Sequence, residues 1–563
     1  MSSFLVALTS LALQNPFLGT WVAERPQWGD PTHGTLELIP RDQALRIRFR
    51  GEEVEATREA SGLYSASFPG AGRAEIRRGK EGYRGFWVRP ASPESSAYAT
   101  PLRFERLRAV VSPYRDRTPL VLRLSATKEG LEVLAREKER NRGYYLALTG
   151  ATQEGSRLVF ASRRHPRVEA QLVGEEALRL SVPWSSLPTY LRRSSEPRVR
   201  GLHPRVSSFT RAPPRPQEGG WPVDTPAAVH ISEGPLDQLV QELAAAEPRS
   251  VSDPMVHALL VARRGKLVVE EYFFDHAASD LHDTRSAGKS VNSMLVGAFA
   301  AREELDPSRF LARPVCGLDA QYKKACASDP RKAKITLAHA LSMTTGLACD
   351  DDDYESPGSE DRMQNQTAEP NWHRYILEVP VARAPGAKAV YCTAGINLTG
   401  VALESLSEAS VPELFDTLIA RPLGIDHYHW NLAPNGVGYL GGGVRLRPRD
   451  FLKLGELMRK DGVWKGQRLL PKGWSAFSTA ARSGIHAPGD YAYGWWRKTY
   501  TVRGRELESY YASGNGGQLL FVVPELELVV AFLGGNYGNF GAWRQFRDDY
   551  LPRILAAVDP KPS

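Results

Sequence analysis

The chain has 563 residues, 42% of them apolar and 24% charged, with a net charge of +8 and four cysteines. That is too long for one hydrophobic core, so two or three domains are expected. The composition is that of an ordinary globular protein, and no apolar run reaches the roughly 18 residues that a membrane-spanning helix needs.

Phe4 to Leu13 is a short apolar run. It reads as the core of a secretory signal, with residues 1–14 as the candidate signal peptide and a periplasmic or secreted location. No Lys or Arg precedes it, and a first β-strand in a cytoplasmic protein is the alternative. Residues 15–210 read as an all-β domain. Alternating runs recur between turn residues at Thr35–Ile39, Leu45–Phe49, Ala74–Arg77, Gly85–Val88, Gly143–Leu148 and Arg157–Phe160. This spacing predicts a barrel or sandwich, or two small ones in tandem. Gly19-Thr20-Trp21 resembles the Gly-x-Trp that opens lipocalin-like barrels, although a core tryptophan on a first strand accounts for it equally. The basic excess of the chain lies in residues 1–226, interspersed with acids. No nucleic-acid motif accompanies it, so a solvated Arg-rich surface is expected and nucleic acid is not. Contact with an anionic envelope polymer or lipid surface is the partner such charge would suggest.

Residues 211–226 are a Pro/Gly-rich linker by composition. Beyond them the periodicity changes. Leu236–Ala245 is helical, and Val256–Ala262 and Lys266–Phe273 form a hairpin around Arg264-Gly265. A helix follows Ser286, then a mostly helical region. Strands return at Tyr510–Ser513, Gln518–Val523 and Leu526–Leu533, and a last helix runs from about Trp543 to Ala557. This order predicts an α/β domain over 227–558 with an antiparallel sheet and an all-α subdomain, and a tail at 559–563.

Ser286-Ala287-Gly288-Lys289 heads the first long helix of that domain. Ser and Lys three apart on a helix share a face, so the amine reaches the hydroxyl. A serine is a weak nucleophile until a neighbouring base takes its proton, and a buried lysine can serve. The helix N-terminus adds a free N–H near the attacked carbonyl. Ser125-Ala126-Thr127-Lys128 has the same pattern but closes a strand-like run, and nothing nearby completes it. Two further landmarks follow Ser286 in order. One is Pro385-Gly386-Ala387-Lys388-Ala389-Val390-Tyr391-Cys392-Thr393. The other is Gly514-Asn515-Gly516-Gly517-Gln518, opening a strand. A further segment, Ile335 to Leu347, lies between the first two.

With these landmarks, residues 230–558 resemble the serine β-lactamase and penicillin-binding-protein superfamily. The likeness is strongest to its class C-type branch of esterases, D-amino-acid peptidases and nylon-oligomer hydrolases. The resemblance implies Ser286 as the acylated nucleophile, Lys289 as its activating partner and Tyr391 as the proton shuttle. A phenolate beside a lysine ammonium can take the serine proton and pass it to the leaving group. Thr393 stands where the family often has Asn, and would donate to substrate or Lys289 with shorter reach. Asn515-Gly516-Gly517 replaces the Lys-Thr-Gly of the β-lactamases. Its glycines admit substrate close to the backbone, and the N–H of Gln518 would join that of Ser286 as the oxyanion hole. The missing cation argues against a β-lactam or stem-peptide terminus, unless Arg or Lys arrives from elsewhere.

Cys316 and Cys326 flank a short loop and would be bridged in an exported protein, and the resemblance brings Cys349 and Cys392 together as a second bridge. Four free buried thiols is the alternative. The acidic run Asp350–Asp353 reads as a solvated loop at the cleft rim that disfavours anionic substrates. Gly438–Gly443 resembles a family loop near the cleft, not a nucleotide site. His427 and His429 read as packing residues. No metal site and no cofactor are expected. The expected function is a serine hydrolase acting on a small-molecule ester or amide. The alternatives are a binding protein that acts through its β domain after losing its chemistry, and a true β-lactamase or D-Ala carboxypeptidase.

Overall fold

The computed structural model describes residues 15–559, apart from 24–32, 42–43, 81, 92–95, 113–119, 129, 137–145, 147, 163–167, 183–187, 197, 200, 205–210, 218–219 and 354. The candidate signal at 1–14 and most of the predicted strand at 143–148 therefore lie outside the described residues.

The N-terminal region is β throughout, and it contains a closed antiparallel barrel. Gly19–Ala23 pairs on one side with Val121–Thr127 and on the other with Thr189–Arg193; the remaining strands run in sequence order between these two. Alternation fills the interior with Trp21, Leu122, Leu124, Val133, Leu158, Phe160 and Leu180, all at most 2% exposed. Trp21 closes the seam. Its indole N–H donates to the Phe17 carbonyl at 2.8 Å, and the Arg193 guanidinium lies 4.3 Å from the centre of its ring. Arg193 also donates to the Leu18 carbonyl at 2.6 Å.

The second β unit is not in tandem with this barrel but nested inside it. It occupies the chain between the first barrel strand and the second, with a core around Ile47, Phe49, Phe68 and Trp87. One of its sheets continues into the C-terminal domain. Tyr98–Leu102 pairs with His429–Asn431, which pairs with Val444–Leu446, which pairs with His282–Asp283. Sequence periodicity could not show this, because these partner strands are two or three residues long. Two basic side chains of this unit meet one acid: Arg48 and Arg108 both pair with Glu37.

Among its described residues the predicted linker forms no helix or strand beyond a single bridge from Val223 to Leu267, yet it is docked. Arg211 bonds Asp237 at 2.6 Å, and buried Trp221 packs on Trp464 and donates to the Gly265 carbonyl. An indole of that size gains too much from burial to be left in solvent.

The C-terminal domain is built on a six-stranded antiparallel sheet. Its order is Lys266–Tyr272, Val256–Arg263, Leu528–Gly534, Gln518–Val523, Arg505–Gly514 and Trp496–Val502. The turn at Arg264 (φ 52°) and Gly265 (φ 77°) has the double left-handed geometry of a tight hairpin. Helices Glu233–Ala245 and Leu551–Ala557 cover one face, and Pro448–Arg459 covers the other. Gly288–Arg302 is buried from Gly288 to Ala300, because it runs between the sheet and the helical subdomain and has no solvent face. Cys316–Cys326 and Cys349–Cys392 are both disulfide-bonded, with Cα separations of 5.7 and 5.4 Å.

Candidate active site

A cleft with a volume of about 440 Å³ opens between the sheet edge and the helical subdomain. Ser286 lies at its floor, in the short turn Arg285–Ala287 that leads directly into Gly288–Arg302. Arg285 is left-handed (φ 50°), a strained setting for a residue with a side chain. Two glycines make room for that turn. A Cβ on Gly514 would lie 2.1 Å from the Thr284 carbonyl oxygen, and one on Gly442 would lie 2.7 Å from that of Arg285.

Lys289 is 1% exposed. Its ammonium donates to Ser286 Oγ at 2.8 Å and to the Gly441 carbonyl at 2.6 Å. Nζ also lies 4.9 Å from the ring centre of Tyr391. That ring stacks on Trp496 at 5.8 Å and meets the edge of Tyr491. Ser286, Lys289 and Tyr391 are thus brought together.

Asp351 completes the group, and sequence reasoning missed it by placing it in a solvated loop. Its carboxylate is held inside by backbone N–H groups, from Thr393 at 2.7 Å and Glu360 at 2.8 Å. Its own N–H donates to the Tyr391 carbonyl at 3.0 Å. Burial, and then the charge of Glu360, push its pKa up to about 7, against the pull of Lys289. The run of acids around it hid this one inward-facing member.

The predicted substrate contacts need correction. Thr393 is fully buried, with its side chain beside the Asp351 carboxylate. Gly441 is packed against its methyl group, where a Cβ would come within 2.4 Å, so the hydroxyl does not reach the cleft. Gln518 is also fully buried and donates to the Gly534 carbonyl at 2.7 Å. It starts the strand after the turn, and Gly516 and Gly517 make the turn with φ of 94° and 97°. None of these three lines the cleft; Ser513, Gly514 and Asn515 do. Asn515 turns its side chain away, accepting the Gly538 N–H at 2.8 Å. Among the described residues no acceptor takes the backbone N–H of Ser286 or of Asn515.

The cleft has two charged walls. Asp351, Asp352, Glu360 and Asp361 stand on one side. Arg497, Lys498, Arg544 and Arg547 stand on the other, beside Asp490, with Arg497 paired to Glu508 and both Lys498 and Arg547 to Asp548. The cations missing from the Gly-Gly strand therefore arrive from the neighbouring edge strand and the C-terminal helix.

The Beta-lactamase family model matches residues 236–537, more than half of the chain. The protein belongs to the β-lactamase family. This β-lactamase-related hydrolase is 24% identical over 319 residues to a 6-aminohexanoate-dimer hydrolase of Paenarthrobacter ureafaciens, covering 53% of the chain and 77% of that relative. Among solved structures, a putative 6-aminohexanoate-dimer hydrolase from Bacillus anthracis aligns at 18% identity and a TM-score of 0.45, over 55% of this chain and 81% of that one. EstCE1, a hydrolase with promiscuous acyltransferase activity, aligns at 19% identity and a TM-score of 0.42, over 57% and 98%. The family match begins after the barrel and the nested β unit.

Proposed function

We propose that the protein is a serine hydrolase that cleaves a small ester or amide through an acyl-enzyme on Ser286. The observation that carries this reading is the bond from buried Lys289 to Ser286 Oγ, made while the same ammonium is fixed on Gly441. A lysine ammonium has donors and no acceptor. Its N–H toward Oγ leaves the serine proton to point elsewhere, and in this reading Tyr391 acts as the phenolate that takes it, beside the ammonium of Lys289. Ser286 then attacks the carbonyl carbon, and Tyr391 returns the proton to the leaving alcohol or amine. Water repeats the sequence on the acyl-enzyme and releases the acid. The oxyanion of each tetrahedral intermediate is stabilised by the two N–H groups without internal acceptors, on Ser286 and Asn515. Asp351 is a positioning residue whose backbone N–H holds the Tyr391 carbonyl.

The two charged walls suit a linear substrate with an ammonium at one end and a carboxylate at the other. The curated relative is named for an amide of that kind, a 6-aminohexanoate dimer. Cations in the cleft also keep a β-lactam among the substrates to test. Both disulfides support export to an oxidising compartment.

The test is turnover of a p-nitrophenyl acyl ester, a linear aminoacyl amide with free termini and a penicillin, by the wild type and by Ser286→Ala. Ser286-dependent turnover of the ester or the amide is expected. No Ser286-dependent turnover of any of them would defeat the reading, and a stable penicillin adduct with little ester turnover would favour a penicillin-binding role.

A further inference from the structure

Beneath the nucleophile turn, three histidines from separate elements converge. His257 lies on the central strand Val256–Arg263, His276 in the loop after Lys266–Tyr272, and His282 in the short strand His282–Asp283. Each contributes a ring nitrogen, and these nitrogens all lie within 4.8 Å of one another. The ring centres are 4.0 Å apart for His257 and His276, 4.6 Å for His276 and His282, and 5.4 Å for His257 and His282. His257 is 2% exposed and His282 1%.

The backbone is distorted to bring two of them in. His257 occupies a register shift against Leu528–Gly534, between the pairs Val256–Gly534 and Ala258–Leu533. Such bulges re-aim a side chain. His276 follows two successive left-handed residues, Phe274 (φ 56°) and Asp275 (φ 59°), which turn the chain back onto His257. Gly535 has no side chain beside His257 Nε2, where a Cβ would lie 2.4 Å away. Behind His276, Asp280 lies 3.9 Å from Nδ1 while it accepts the Ala277 N–H. A carboxylate behind a ligating imidazole is the usual outer support of such a ligand.

Three converging imidazoles are the donor set of a borderline divalent transition ion. Metal–nitrogen bonds of about 2.0–2.1 Å place tetrahedral ligand nitrogens about 3.4 Å apart. His276, on its loop, supplies the contraction needed.

We propose that His257, His276 and His282 bind one divalent ion of the zinc class, which ties the central strand to the turn that presents Ser286. The link is short. His282 is followed by Asp283, which accepts the Arg285 N–H at 2.9 Å, and Arg285 adjoins Ser286. The ion is a brace under the active site and takes no part in the proton transfers.

The experiment uses the full chain, without a histidine tag, stripped by chelator dialysis. Co²⁺ is titrated and followed by visible absorption; Zn²⁺ is measured by equilibrium dialysis with elemental analysis. One ion per chain is expected, with Co²⁺ ligand-field bands and a thermal midpoint that rises with Zn²⁺. His276→Ala and His282→Gln are expected to weaken binding on the order of 100-fold or more, and Asp280→Asn by about 10- to 100-fold. Asp280→Asn keeps the proposal testable if a histidine variant does not fold. His230→Ala, at an exposed site, should bind as the wild type does. Failure of the wild type to bind stoichiometrically would overturn the proposal. So would binding that is unchanged in all three site variants.

Discussion

Gly514→Ala probes the contact that sets the oxyanion geometry. The added methyl would start 2.1 Å from the Thr284 carbonyl oxygen and 3.1 Å from Ala287 N. Both are backbone atoms, so no side-chain rotation relieves the overlap. The end of Arg505–Gly514 and the nucleophile turn must part by about 1 Å, a displacement that costs about 100-fold when it falls on reacting groups. We expect kcat for a p-nitrophenyl ester to fall about 100-fold, equivalent to about 2.7 kcal/mol of transition-state stabilisation. Overpacking should also lower folding stability by about 1–3 kcal/mol. Gly234→Ala is the control. It lies in the helix Glu233–Ala245 with nothing within 4 Å of an added Cβ, and should gain about 0.5–1 kcal/mol with unchanged activity. Steady-state kinetics and urea unfolding read both variants. A folded Gly514→Ala protein with wild-type kcat would refute the placement of Asn515 and Ser286 around one oxyanion.

Tyr391→Phe should keep the fold and KM while kcat falls about 100- to 10,000-fold, read by steady-state kinetics. Asp351 is held near pKa 7, above its ordinary value, so the folded state binds a proton that the unfolded state has lost between about pH 4 and 7. Its contribution to stability is therefore lost as pH rises through that window, and Asp351→Asn should flatten the slope of stability against pH there, read by urea unfolding at several pH values. Opening Cys349–Cys392 frees a closure of 43 residues and should cost about 4 kcal/mol; opening Cys316–Cys326, a closure of 10, should cost about 3. Only the first should also reduce activity, because Cys392 adjoins Tyr391. Cys→Ser pairs with thermal melts and ester turnover check both.

The C-terminal domain was largely legible because its signals are local. The Arg264-Gly265 hairpin, the helix after Ser286 and the three motifs in order each declare themselves within a few residues. What was hidden depends on distant pairing. The strand Trp496–Val502 was missed because its aromatic and charged residues do not alternate cleanly. The nesting of the two β units turns on whether Gly19–Ala23 pairs across 97 intervening residues with Val121–Thr127, and no local pattern encodes that. At the site, the Gly-Gly turn drew attention to the residue after it, yet a hairpin sends the residue before it to the cleft. Hence Asn515, and not Gln518, lines the cleft. Asp351 looked like one more member of an acidic run, because burial of a single carboxylate is decided by the backbone N–H groups of Thr393 and Glu360. The three histidines lie on separate elements and share no spacing motif.

The central claim is that Ser286 carries the acyl group. The most direct measurement is intact mass followed by peptide mapping of the protein quenched during ester turnover. The account predicts a single acyl adduct on the peptide that contains Ser286, absent from Ser286→Ala. An adduct on any other residue, or turnover that survives in Ser286→Ala, would contradict it.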